Sequence, residues 1–78
     1  MVRPARRELL GRLIRNARLA RGIGVGELAT RLGVSRYTVM NLERGHKAVG
    51  SDTLVDALME LGLLSDSADA ALRGLDAD

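Results

Sequence analysis

Apolar positions in this 78-residue chain recur three and four apart along most of its length, the period of an amphipathic helix. Leu10, Leu13, Ile14, Ala17 and Ala20 form one stripe with arginines opposite, and predict a first helix over Arg6 to Arg21. Leu28, Ala29 and Leu32 predict a second over about Val25 to Leu32. Gly33 breaks the pattern, and a residue free to take φ > 0 suits a sharp turn. Val34 can plug the core beneath that turn, and Ser35 can cap a new helix with its hydroxyl. The third helix is expected over Ser35 to Arg44, with Val39 and Leu42 inward and Gly45 as its stop. Ser51 or Asp52 can cap a fourth, about Asp52 to Leu61, with Leu54, Val55, Leu58, Met59 and Leu61 on a broad apolar face that Gly62 ends. Ser65-Asp66-Ser67 opens a short fifth helix carrying Ala68, Ala71, Leu72 and Leu75 on one side. The fold class is therefore all-α, a small five-helix bundle.

The organising stretch is Gly26 to Gly45, two short helices joined by a tight turn, with Ala29 as the small residue where they touch. Composition narrows the picture. The chain has no cysteine and Tyr37 is its only aromatic, so a thin core of Leu, Val, Ile, Ala and Met must hold without disulfide or zinc. No apolar run has the length of a membrane span, and the basic N-terminus lacks the apolar segment of a signal peptide. A cytoplasmic protein away from the membrane is expected. With no cysteine, one histidine (His46) and no clustered metal ligands, no catalytic residue, metal or cofactor is expected, and His46 reads as a loop residue.

The net charge of +2 conceals an asymmetry. Residues 1–50 carry eleven Lys and Arg against three Glu, a net of +8, and residues 51–78 carry one Arg against seven Asp and Glu, a net of −6. The basic half contains the paired helices, so nucleic acid is the natural anion for it. Residues 1–5 are expected to be a flexible basic arm, in which Pro4 biases Arg3 to an extended form; with Arg6 and Arg7 it can enter a minor groove or simply fray. Residues 6–64 make the main domain, and 65–78 a short acidic helix and tail. Gly22-Ile23-Gly24-Val25-Gly26 is an inter-helix turn: no strand precedes it, and neither GxGxxG spacing nor a following Gly-Lys-Ser/Thr is present.

Glu27-Leu28-Ala29, Leu32-Gly33-Val34-Ser35, Leu42-Glu43-Arg44-Gly45 and the later Asp52-Thr53-Leu54 carry a resemblance. Over roughly Leu10 to Leu63 the chain resembles the Cro/repressor-type helix-turn-helix domains, the XRE family. The resemblance implies a lambda-repressor-like five-helix bundle whose second and third helices form the helix-turn-helix. It implies that Arg36, Tyr37 and Asn41 read bases, and that Ser35, Thr38, Arg44 and Lys47 hold phosphates. It also implies a partly buried structural pair of Arg18 with Glu43. Gly24-Val25 departs from the Ser-Gln found in many members, which removes a helix cap and a phosphate donor. Chemistry agrees with the base assignments: arginine suits guanine O6/N7 and asparagine adenine N6/N7, each bonding in two places.

Helix four and the residues after it offer more apolar surface than one thin core needs. A symmetric dimer through Leu58, Leu61, Leu63 and Leu64 would bury the surplus. The expected function is a sequence-specific regulator of double-stranded DNA, most simply a repressor that binds a palindromic operator as a homodimer with helix three in the major groove. A different class is an interaction module resembling HipB-like antitoxins, which bind a toxin kinase partner as well as an operator. Short phage Cro-like regulators and restriction–modification controllers also fit the length.

Overall fold

The computed structural model describes residues 5–64, and within them the chain forms four helices and no strand: α1 (Arg6–Ala20), α2 (Val25–Leu32), α3 (Arg36–Glu43) and α4 (Ser51–Glu60). The all-α class holds. The proposed fifth helix over 65–78 and the arm over residues 1–4 lie outside the described residues.

α3 sits at the centre, packed against both α1 and α2, and α4 packs on α2. Ile14, Leu28, Val39 and Leu61 are the largest fully buried side chains, joined by Ala17, Ile23, Ala29, Leu42, Val49 and Ala57. Burial of each large aliphatic group contributes about 1.5–3 kcal/mol, so this core is adequate but thin. Val25, Leu32, Val34, Leu54 and Leu58 close its edges half-buried. Ala29 is buried in the core, and Val34, next after the Gly33 turn, packs half-buried against it.

The stripe on α1 is turned from its expected position. Leu13 is 46% exposed and Ala20 is also exposed, whereas Gly11, Ile14, Ala17 and Arg18 are buried. The cause is Gly11. A Cβ there would lie 2.5 Å from the Glu43 carbonyl oxygen and 2.6 Å from that of Leu42, so a bare glycine lets α1 rest on the C-terminal backbone of α3. That close approach decides which face of α1 points inward.

The turn chemistry is as the residue types demand. Gly33 takes φ 69°, its N–H donates to the Thr30 carbonyl at 3.2 Å, and the Val34 N–H reaches the Ala29 carbonyl at 3.0 Å. This paired closure uses two otherwise orphaned carbonyls of α2. Gly45 closes α3 the same way at φ 76°, and its missing Cβ would meet the Glu8 backbone at 2.5 Å. Ser35 caps α3 by accepting the Thr38 N–H at 3.1 Å. α4 differs from expectation: it starts at Ser51 with Gly50 as its cap residue and no capping side chain. Asp52 instead lies in the first turn, where a carboxylate complements the positive helix pole.

Candidate nucleic-acid interface

α3 buries Val39 and Leu42 and turns its opposite face to solvent. Tyr37 is 72% exposed, Met40 and Arg44 are exposed, and Asn41 is half-buried. Tyr37, Asn41 and Arg44 follow one another at spacings of four and three, so they share one line along the helix. The Tyr37 phenol stands free on the outer face of α3. Lys47 is exposed in the loop beyond Arg44, and Arg15 joins Arg44 and Met40 around a shallow groove between α1 and α3. The side chains expected to meet bases and phosphates are therefore on or beside one helix.

The acid on this helix is spoken for. Glu43 is the sole carboxylate on α3, and it is engaged by Arg18: Nε donates to Oε2 at 2.7 Å and Nη2 to Oε1 at 3.0 Å. The third arm of the guanidinium, Nη1, donates to the Ile23 carbonyl at 3.0 Å. The two side chains are 9% and 8% exposed, so the pair expected from the family resemblance exists and is buried. It ties α1, α3 and the α1–α2 turn together. The Glu43 hydrogen bond, opposed by burial and aided by Coulomb attraction, holds the Arg18 guanidinium above its ordinary range. A basic group raised this way contributes stability at neutral pH and loses it only as the pH rises through the arginine range, so the cation stays paired at neutral pH. Glu27 meets Arg31 at 3.0 Å on α2.

Other residues settle differently. The Ser35 and Thr38 hydroxyls lie 3.0 Å apart, so each already has one partner in the other. His46 accepts the Ala48 N–H on Nδ1 at 3.1 Å, which shapes the loop carrying Lys47. Arg7 does not join a free arm: it lies in α1, and Nη1 donates to the Val49 carbonyl at 2.8 Å. Leu61 is 1% exposed within the protomer's own core and has no side-chain surface left for a second chain; Leu58 and Leu64 are half-buried and Leu63 is exposed. Its inward aim follows from the register of Ala57 and Leu61, four apart on the buried face of α4.

Arg36 takes an unexpected position. Its guanidinium lies against Gly26 in the first turn of α2, not out along the line of Tyr37. Glycine at 26 is the signal in the sequence for that contact, but a run of alternating glycines at 22, 24 and 26 reads first as a flexible turn. Val25 is half-buried at the edge of the core, and Gly24 caps α2 without a side chain, as the departure from Ser-Gln implied.

Two comparisons bear on this arrangement. The helix-turn-helix domain family matches residues 9–72. The chain belongs to that family. The matched span includes α2, the Gly33 turn and α3, and extends past α4. The chain is also 47% identical over 45 residues to a protein of Thermococcus kodakarensis named "Putative HTH-type transcriptional regulatory protein". That match covers 58% of this chain but 14% of the relative, so the likeness is to one module of a much longer protein. Among the described residues, no helix of this helix-turn-helix domain is long and apolar enough to cross a membrane.

Proposed function

We propose that this helix-turn-helix domain is a sequence-specific binder of double-stranded DNA that regulates transcription, with α3 lying in the major groove. One observation carries the reading. α3 presents Tyr37, Asn41 and Arg44 on a single open face, while its one carboxylate is turned away and neutralised by Arg18. An anionic groove can approach that face without meeting an exposed acid from the helix. Asn41 and Arg36 supply donors for base edges, and Arg44 and Lys47 supply cations for phosphates, with Ser35 and Thr38 at the N-terminal end. Phosphate contacts position the domain and base contacts specify the site.

In this reading the protein acts as a repressor and binds as a homodimer. Leu63 and the outer parts of Leu58 and Leu64 form the apolar patch that meets a second copy. Two copies of α3 then address half-sites about 34 Å apart on a palindrome. The test is selection of duplexes from a random pool with the purified full chain at moderate ionic strength. Enrichment of a two-fold symmetric sequence with half-sites about ten base pairs apart supports the reading. Folded protein that enriches nothing overturns it, and sedimentation as a monomer with and without the selected duplex removes the homodimer.

A further inference from the structure

The contact between Gly26 and Arg36 has a geometry of its own. A Cβ built on Gly26 would sit 2.8 Å from Arg36 Nε, 2.8 Å from Nη2 and 3.0 Å from the guanidinium carbon. The two nitrogens are nearer than the central carbon, so the Nε–Nη2 side of the guanidinium lies against Gly26. Side-chain carbons do not approach other atoms that closely, so this pose exists only because position 26 carries no side chain. Among the described residues, no hydrogen bond or ion pair engages the Arg36 side chain. Arg36 is exposed, its guanidinium rests beside Gly26, and its donors are uncommitted.

That combination matters for recognition. An unrestrained arginine samples many rotamers and can address several neighbouring acceptors, whereas two-point bonding to one base needs the planar fork in one orientation. Bare Gly26 leaves room for the guanidinium beside the N-terminal end of α3, where a recognition helix meets base edges. We propose that Gly26 is a positioning residue for sequence discrimination: its bare Cα seats the Arg36 guanidinium so that it reads one base pair. This rests on the reading that α3 lies in a major groove.

Gly26→Ala separates the seat from the reader. The three heavy atoms nearest the new Cβ all belong to the flexible end of Arg36, so the side chain yields and the backbone does not. Alanine also favours helix over glycine, so the melting temperature is expected to hold or rise. The experiment runs parallel duplex selections, then titrations against single-base variants of the selected site, for wild type, Gly26→Ala, Arg36→Ala and the double variant. Arg36→Ala is expected to lose about 5- to 150-fold of discrimination at one base pair. Gly26→Ala is expected to lose discrimination at that same base pair, with the others and the salt dependence unchanged. The double variant is expected to match Arg36→Ala alone. The proposal is overturned if Gly26→Ala leaves that base pair as selective as wild type, if its effect adds to that of Arg36→Ala, or if it lowers the melting temperature. It is also overturned if Arg36→Ala weakens all duplexes alike, which would make Arg36 a phosphate contact. Wild-type protein that selects no duplex is a different result, and it refutes the DNA-binding function itself.

Discussion

Removing Arg18 tests the architecture most directly. In Arg18→Ala the Glu43 carboxylate keeps its buried place, with side-chain exposure of 8%, but loses both donors, at 2.7 and 3.0 Å. The Ile23 carbonyl loses its 3.0 Å side-chain donor as well. Because the pair is largely shielded from water, its loss is not softened by solvent as at a surface bridge. Stranding one member of a buried pair costs about 3–5 kcal/mol. A domain of about 60 residues has roughly 3–9 kcal/mol of stability to lose. Arg18→Ala is therefore expected to be near its unfolding midpoint, or beyond it, without denaturant. Urea titration followed by helical circular dichroism, on wild type, Arg18→Ala and Arg18→Met/Glu43→Leu, reads this. The double variant removes both charges and leaves mainly the Ile23 carbonyl unpaired, a penalty of about 1–3 kcal/mol, so it is expected to be the more stable of the two. If Arg18→Ala lies within about 1 kcal/mol of wild type, or the double variant is the less stable, the pair does not act as a buried charge clamp.

Other expectations concern packing, capping and binding. Gly11→Ala should destabilise by about 1–3 kcal/mol in the same titration, because its Cβ meets backbone carbonyls that have no room to move; a helix-interior Gly→Ala change elsewhere stabilises by about 0.5–1 kcal/mol, so the sign alone decides. Ser35→Ala removes the 3.1 Å cap bond to the Thr38 N–H and should cost about 1 kcal/mol; an unchanged denaturation midpoint would show that the cap is idle. Lys47→Ala and Arg44→Ala should each weaken binding to all duplexes alike and flatten the logarithmic salt slope by about 0.9; an unaltered slope removes that residue from the phosphate set.

Periodicity and turn chemistry made much of the described fold legible. Four helices follow from apolar spacing, and Gly33, Ser35 and Gly45 act locally, through φ and a hydroxyl, so their roles need no knowledge of the rest of the chain. The Arg18–Glu43 pair was legible only through the family resemblance, since 25 residues separate the partners. The register of α1 and the start of α4 were not legible. The apolar stripe predicts a buried face, yet Leu13 stays 46% exposed and Ala20 is exposed too, because the inward face goes to whichever residues let the backbones close.

What the order of residues determines by itself is thus whatever depends on neighbours within a turn or two: helical period, stops, the cap at Ser35 and the split of charge between the halves. The tertiary structure alone decided where bare positions matter. Gly11 admits the backbone of α3, the Arg36 guanidinium lies against bare Gly26, and Leu61 is drawn into the core. Each depends on a contact between elements, and close packing lets a single missing or added Cβ select among helix faces that the pattern leaves equivalent.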